Sequence, residues 1–273
     1  DPRDHKRDEQ ESARQANNLN KNTFQKVAKS YIAENQSSWR SNVTKKQWPN
    51  SLRDYVYPII GSKPVHLITI HDVLSVLRPI WSEKTTTATR VRSRIENILD
   101  YATTLEMRQG NNPAIWRGNL SKVLPAPKKV HKIKSHPAVS YTELHGFLME
   151  LRKRKGVGAR ALEFTILTGS RTRPLLLAKW EDIDFDNAIW NCPEDNMKSG
   201  NFFRIPLSEP AMSIIYSQKK YSRGEYIFGH EQTGKKSSNN CMLYTIYRMG
   251  YRGKVTTHGM RSTMRDWAGE TTK

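Results

Sequence analysis

Two side chains near the end of the chain are spaced so that they could act on one substrate. His258 and Arg261 stand three residues apart in THGMRST, after a threonine pair that can cap a helix. On a helix, residues with this spacing face the same side. An arginine binds two phosphate oxygens at a time and stays charged at any working pH. The pair therefore indicates the edge of a phosphate site, which other cations would have to complete.

Two further cations stand at special places in the predicted secondary structure, one just after a helix and one in the turn of a strand pair. Arg171 follows the helical pattern GARALEFTILTG, and Lys198 lies in the turn of NMKSGNFFRIPL. Each also has a simpler interpretation, because arginines at helix ends neutralise carbonyl groups and lysines in turns are commonly solvated. A lone histidine such as His258 is likewise often bonded to the backbone. We therefore treat it as a hypothesis that Arg171, Lys198 and the His258 and Arg261 pair come together in the folded protein.

The overall charge favours a polyanionic partner. Lys and Arg number 45 against 26 Asp and Glu, a formal charge of +19, and such a field attracts nucleic acid. No long apolar run, signal-peptide pattern or lipidation motif points to a membrane. Cys192 and Cys241 stand far apart without a CxxC motif, which argues against a zinc site or a disulfide framework and favours a reducing cytoplasm. No metal and no cofactor is expected.

The first part of the chain has apolar residues at helical spacing. Residues 1–20 are polar and are expected to form a tail or connector, and residues 21–110 to form a four-helix domain. Thr69 and Asp72 are placed as a capping box at the start of one of these helices. Three arginines project from the other sides of the longest helix, outside its apolar stripe, and are predicted to contact DNA phosphates, although such a run is ordinarily a solvated face. They are Arg90, Arg92 and Arg94.

A proline-rich basic segment, residues 111–137, is predicted to be an interdomain linker. It contains four prolines, which interrupt regular structure. Its lysines are further candidates for DNA contact. They are Lys128, Lys129, Lys132 and Lys134.

A second domain is expected over residues 138–273, and the fold class is mainly α with a small antiparallel sheet. Ser140 and Glu143 form a possible capping box before an apolar helix. The spacing then becomes strand-like in IDFDNAIWNCP and NMKSGNFFRIPL, with turn residues at Asp186-Asn187 and Ser199-Gly200, which predicts about three strands. Trp180 and Trp190 are interpreted as packing residues rather than as platforms for bases. The rest of the chain returns to helical spacing.

Three motifs in register resemble the tyrosine recombinases, in particular phage integrases of the P4 type. They are TGSR...AKWEDIDF, MKSGNFFRIPLS and THGMRSTMRDWAGE. The first half of the chain is similar to that family's core-binding domain, so the resemblance covers the sequence from about Thr23 onward. It implies a helical core-binding domain followed by a mixed α/β catalytic domain with the DNA breaking-rejoining fold.

The resemblance also implies roles for four residues at a site that works without metal. Arg171 and Arg261 match the two arginines that clamp the scissile phosphate. Lys198 matches the hairpin lysine that protonates the leaving 5'-oxygen, and His258 matches a histidine that orients groups and transfers protons. In the family a tyrosine attacks the phosphate and becomes 3'-phosphotyrosyl.

The sequence departs from the family pattern at two places. Pro174 stands where an acidic residue usually follows the first arginine by three positions, and the nearby Arg173 leaves the choice of arginine open. The second histidine and the nucleophilic tyrosine of the family follow the His-x-x-Arg helix, whereas all 11 tyrosines here precede His258. No nucleophile is therefore assigned, and this chain is expected to hold DNA without cutting it alone. The chain is treated as a C-terminally incomplete fragment.

These observations predict a site-specific recombinase, the integrase of a phage or other mobile element. Its expected partners are double-stranded DNA, further integrase protomers that form a tetramer on DNA, and accessory proteins that bend DNA. The expected location is the bacterial cytoplasm, in association with the nucleoid. Two other functions stay open: a non-catalytic DNA-binding remnant or regulator of recombination, and an unrelated RNA-binding protein, for which no RNA-recognition motif is found.

Overall fold

The computed structural model describes residues 19–39, 41–131, 135–196 and 201–272, and it divides the chain into two compact units. The units are Asp1–Ile133 and Lys134–Lys273. Each has its own apolar core. None of the helices in the described ranges is both long and apolar enough to span a bilayer.

The first unit is a helical bundle. Its helices are α1 (Phe24–Asn35), α2 (Asn42–Tyr55), α3 (Tyr57–Ile60), α4 (Ile70–Trp81), α5 (Thr85–Thr104) and α6 (Pro127–Val130). The capping box at the start of α4 is confirmed, since Thr69 Oγ1 accepts from the Asp72 amide and the Asp72 carboxylate accepts from the Thr69 amide. Pro58 stands at the second position of α3, where its missing N–H is not needed.

The segment predicted to be a linker, 111–137, is folded onto the first unit over much of its length. Ala114, Leu120 and Leu124 are buried in the same core as α1 to α5. The Trp81 indole donates to the Pro125 carbonyl at 3.0 Å, and its ring stacks on Trp116 at 5.5 Å between centroids. These few apolar residues, dispersed among prolines, cover the end of α4. Most of the predicted linker therefore belongs to the first unit, and the two units meet in sequence between residues 133 and 134.

The second unit surrounds one buried helix. Its elements are α7 (Leu144–Arg152), α8 (Val157–Thr168), α9 (Thr172–Leu176), β1 (Ile183–Asp184), β2 (Ile189–Cys192), β3 (Phe203–Pro206), α10 (Glu209–Lys219), α11 (Cys241–Arg248) and α12 (Thr257–Thr271). Helix α8 is buried over most of its length and packs against α7, α9, α10, α11 and α12. The glycine at its start, Gly158, lets the backbone of α11 approach, since a β-carbon there would lie 2.7 Å from the Cys241 carbonyl oxygen.

The predicted small sheet is present, with the three strands antiparallel in the order β1-β2-β3. Its first turn contains the predicted Asp186-Asn187 pair and is held by Asp184, whose carboxylate accepts from the Asn187 amide at 3.0 Å. The second turn, Ser199-Gly200, lies outside the described residues. Trp190 pairs with Ile205 in the register and is fully buried, which agrees with its interpretation as a packing residue.

The capping box expected at Ser140 and Glu143 forms a different structure. Ser140 Oγ accepts from the Thr142 amide, residues Tyr141–Glu143 form a 3-10 turn, and the α-helix begins at Leu144. The backbone before this turn makes its hydrogen bonds to α12 instead.

We call residues 135–141 the strap. The Pro137 carbonyl accepts from the Thr256 amide at 2.9 Å, and the Val139 carbonyl accepts from Thr263 Oγ1 at 2.6 Å. The Tyr141 hydroxyl donates to the Glu270 carboxylate at 2.8 Å. The partners on the helix side, Thr256, Thr263 and Glu270, are seven residues apart, so they lie on one side of α12. The partners on the strap side are every second residue, as in an extended chain. The strap therefore lies along α12.

We expect Gly259→Ala to weaken the second unit. A β-carbon at position 259 would overlap the Pro137 carbonyl oxygen, so the strap or the start of α12 must shift. The expected loss in the free energy of unfolding is roughly 1–3 kcal/mol, measured by chemical denaturation. Gly269→Ala is the matched control on the same helix, because nothing lies within 4 Å of its added carbon and alanine favours a helix over glycine. Equal stability of the two variants would contradict the close packing of the strap.

Candidate active site

A cavity of about 620 Å³ in the second unit brings together three of the four predicted catalytic residues. Arg171, His258 and Arg261 all line it. They come from two places in the chain, the residues after α8 and the first turns of α12. The fourth, Lys198, lies outside the described residues, although Cys192 and Phe203 on the two adjoining strands also line this space. We refer to it as the arginine cavity.

Arg261 is fixed to the end of α8. Its Nε donates to the Gly169 carbonyl oxygen at 2.6 Å, and its side chain is partly buried. Gly169 ends α8 with a left-handed φ of 61°, a conformation that glycine adopts without a steric penalty. A β-carbon there would also lie 2.6 Å from the Met264 sulfur on α12. The glycine thus lets α12 come close enough for Arg261 to reach the carbonyl.

Arg171 is exposed at the position preceding α9, two residues beyond that glycine. No carboxylate of the described residues pairs with it, and the described carbonyls at the end of α8 accept no hydrogen bond from its guanidinium. Its position in the cavity therefore favours ligand binding over helix capping. Arg173 does not line the cavity, whereas Pro174, which stands at the place of the usual acidic residue, does. The geometry thus selects Arg171 from the two arginines.

The threonine cap and the histidine at the start of α12 are arranged as the sequence indicates. Thr256 Oγ1 accepts from the Gly259 amide at 2.9 Å, which closes the first turn. His258 is exposed on that turn, and its imidazole makes no hydrogen bond to a described residue. Burial of part of the ring, followed by the charges of His136, Arg261 and Arg171, lowers the pKa of His258. The imidazole is therefore mainly neutral at neutral pH.

The described lining of the cavity is cationic. None of the described residues that line it is Asp or Glu, and Arg265 adds a third arginine. Burial and the nearby Arg171 lower the pKa of Arg261, but a guanidinium remains charged in proteins. Two clustered arginines repel one another until an anion lies between them. The arrangement is suited to a phosphate group, which each arginine can bind through two oxygens.

The apolar part of the cavity lining comes mainly from the sheet. Trp190, Cys192, Phe203 and Ile205 line it. Burial, and to a smaller extent the charge of Asp182, raises the pKa of the Cys192 thiol to about 11. The thiol is therefore protonated and a poor nucleophile at neutral pH. Among the described residues, no group of three or more His, Cys, Asp or Glu side chains could hold a metal ion.

One residue next to the cavity gave no signal in the sequence. His136, in the strap, packs edge-to-face on His258 with 4.7 Å between ring centroids and 75° between planes. It belongs to the segment predicted to be a linker, and it stands 122 positions before its partner in the sequence. A single histidine before a proline has no pattern that predicts such a contact.

The predicted arginine face of α5 divides into one surface residue and two structural ones. Arg90 is exposed. Arg92 is tied to Glu96 at 2.6 Å and to the Ala114 carbonyl at 2.8 Å. Arg94 is buried, bonds to the Gln47 carbonyl at 2.8 Å and to the Ser51 hydroxyl, and lies over the Trp48 ring. The prediction of a DNA contact is thus wrong for Arg94, because its long side chain turns back to fill the space between α5 and α2.

The lysines of the predicted linker are only partly described. Lys128 and Lys129 are exposed on α6. Lys128 lies beside Arg90 around a shallow pocket that also includes His131 and the start of α5. Lys132 and Lys134 lie outside the described residues. Arg90 and Lys128 therefore form a basic surface patch, and Lys129 is a further exposed cation on α6.

Comparison with known proteins follows the same division into two units. Residues 24–119 match the phage integrase central domain, and residues 143–267 match the phage integrase family. This chain belongs to the phage integrase family of tyrosine recombinases. It is 29% identical over 244 residues to prophage integrase IntZ of Escherichia coli K12, and 28% identical over 277 residues to the integrase of Enterobacteria phage P4.

The alignments cover most of this integrase-family chain but only part of its relatives. They span 88% and 93% of the chain, and 58% and 60% of the IntZ and phage P4 integrases, respectively. The fold is similar to that of a lambda integrase chain, solved as a dimer bound to a COC' core site, with a TM-score of 0.73, 17% identity and coverage of 92% of this chain and 91% of the other. The integrase of the Tn1549 transposon in complex with circular intermediate DNA has a TM-score of 0.72 at 16% identity.

We expect Arg171→Ala and Arg261→Ala each to weaken binding of inorganic phosphate by at least about tenfold, because each removes a charge-assisted pair of hydrogen bonds. Isothermal titration calorimetry on the 273-residue chain measures the change. Arg173→Ala is the matched control, an exposed arginine two residues from Arg171 that does not line the cavity. A comparable loss in the control would show that only the general positive charge matters.

Proposed function

We propose that this chain contains the core-binding part and the phosphate-binding part of a site-specific DNA recombinase, the integrase of a phage or other mobile element. The observation that carries the proposal is the meeting of Arg171, His258 and Arg261 at one cavity, none of whose described lining residues is acidic. That cavity lies within the residues matched by the phage integrase family model. Membership of the family supports the same reaction class.

In the proposed reaction a DNA phosphodiester lies between Arg171 and Arg261. A tyrosine hydroxyl attacks phosphorus, a phosphotyrosyl bond forms at the 3' side, and the bond to the 5'-oxygen breaks. The two guanidinium groups stabilise the negative charge that develops on the non-bridging oxygens. His258, neutral at neutral pH, can accept a proton and return it when the strand is rejoined. Lys198 is proposed from the sequence resemblance alone to protonate the leaving 5'-oxygen.

No candidate for the nucleophilic tyrosine is found among the described residues of the arginine cavity. None of the described residues that line the arginine cavity is a tyrosine, and all 11 tyrosines precede His258 in the sequence. We therefore propose that the 273 residues bind DNA without cleaving it, and that cleavage uses a tyrosine supplied from outside them. A regulator that binds DNA without catalysis would behave in the same way in isolation.

The proposed partner is duplex DNA. The formal charge of +19 and the exposed Arg90, Lys128 and Lys129 support contacts to the phosphate backbone. The lambda integrase has been solved as a dimer on a core site and as a tetramer on a Holliday junction. We propose a comparable assembly of this chain on DNA, with DNA-bending accessory proteins, in the bacterial cytoplasm at the nucleoid.

We expect the chain to bind duplex DNA with a steep dependence on salt and to form no covalent adduct. Affinity should fall by at least about a hundredfold between 50 and 200 mM salt, because binding releases counterions from several phosphates. Fluorescence anisotropy measures the affinity, and a denaturing gel after incubation with a nicked duplex detects an adduct. Affinity that is insensitive to salt would contradict DNA binding through phosphates. A covalent adduct would contradict the absence of a nucleophile.

We expect two arginines of α5 to behave differently when each is replaced by alanine. Arg90→Ala should weaken DNA binding roughly threefold and lower the salt slope by about 1, with unchanged stability. Arg94→Ala should instead lower the free energy of unfolding by roughly 1–3 kcal/mol, because it empties the space between α5 and α2 and removes the hydrogen bonds that Arg94 donates to the Gln47 carbonyl and the Ser51 hydroxyl. Anisotropy and chemical denaturation on both variants separate the two effects. An unchanged stability of Arg94→Ala would contradict its structural role.

A further inference from the structure

The strap places a histidine, His136, against a residue that lines the arginine cavity, His258. His136 precedes Pro137, whose carbonyl accepts from the Thr256 amide at 2.9 Å. The residue before a proline is restricted to extended backbone conformations. The hydrogen bond fixes the strap to the start of α12, and the proline limits the backbone of the preceding residue. The His136 side chain therefore projects from a constrained part of the strap.

This constrained side chain meets a proposed catalytic group. The rings of His136 and His258 lie 4.7 Å apart, with 75° between their planes. In an edge-to-face pair the positive edge of one ring approaches the π face of the other. The contact limits rotation of the His258 ring about its side-chain bonds. Since His258 is exposed and forms no hydrogen bond to a described residue, this ring contact is the one described interaction that orients its imidazole.

The groups that face His258 are all potential cations. Arg261 comes from its own helix, Arg171 from the residues after α8, and His136 from the strap. None of the described residues that line the cavity is acidic. Positive charge on the His136 ring at this distance disfavours the imidazolium form of His258. A bound phosphate would reverse this preference by adding negative charge next to both rings.

We propose that His136 is a positioning residue for His258: it holds the imidazole plane toward the arginine cavity, and its own charge opposes protonation of His258 until phosphate is bound. This inference rests on the proposed function, because it assigns a role within the same phosphate site. His136 is not a cavity-lining residue, so it acts through its partner. The sequence resemblance assigns no role to this position.

The test is a proton NMR titration of the histidine C2–H signals in the 273-residue chain, with and without inorganic phosphate. His136→Ala removes both the ring contact and the charge, whereas His136→Phe keeps an aromatic ring and removes only the charge. Both variants should raise the pKa of His258 by roughly half a pH unit or more. Only the alanine variant should weaken phosphate binding, by roughly threefold, because it alone frees the His258 ring.

His145→Ala is the matched control, since it removes an exposed histidine of α7 in the same unit that does not line the cavity. It should leave both readouts at the wild-type values. If His258 titrates as in the wild type in both His136 variants, the proposal is wrong. A folding defect of the alanine variant does not confuse the result, because the phenylalanine variant preserves the ring volume at the strap.

The two proposals fail in different ways. If the wild-type chain binds no phosphate, the proposed function is contradicted, and a dependence of the His258 pKa on residue 136 would still support the pairing. If the wild-type chain binds phosphate but the affinity and the His258 titration do not depend on residue 136, the proposed function is retained and this inference is overturned.

Discussion

The arrangement of the site depends on one hydrogen bond, from Arg261 Nε to the Gly169 carbonyl oxygen at 2.6 Å. It joins the first turns of α12 to the end of α8, the helix around which the second unit is built. The bond uses a carbonyl that the helix end leaves without an intrahelical partner. It also uses only one donor of the guanidinium, so other N–H groups remain for a ligand. A residue can thus be anchored in the fold and still bind phosphate.

The charge of the cavity opposes folding as long as it is empty. Arg171, Arg261 and Arg265 line it without a described carboxylate, and like charges in a partly buried space repel one another. Elsewhere the same unit neutralises its charges, as at Glu163, which is buried and paired with Arg152 and Arg160 at 2.7 Å each. The contrast indicates that the missing acid at the cavity is a functional feature. An anionic ligand supplies the negative charge that the protein lacks.

Sequence patterns predict those elements whose formation depends on interactions between residues close together in the sequence. The helical periodicity and the capping box of Thr69 and Asp72 predict α4, and the three-residue spacing of His258 and Arg261 predicts that both face one cavity. Long side chains are a different case, because Arg94 can reach either solvent or the interior from the same helical position. The packing of the proline-rich segment on the first unit, and the contact of His136 with His258, depend on pairs far apart in sequence. Such pairs have no periodicity to detect.

The strap holds the two ends of α12 unequally. Near the site, Gly259 lets the Pro137 carbonyl lie against the helix, and Thr263 donates to the Val139 carbonyl from a buried position. At the far end, the bond between Tyr141 and Glu270 is exposed, and exposed hydrogen bonds contribute little to stability because water competes for them. The end that presents His258 and Arg261 is therefore the better fixed one. Firm attachment of this end of α12 suits a phosphate site, because transition-state stabilisation requires donors whose positions do not change during the reaction.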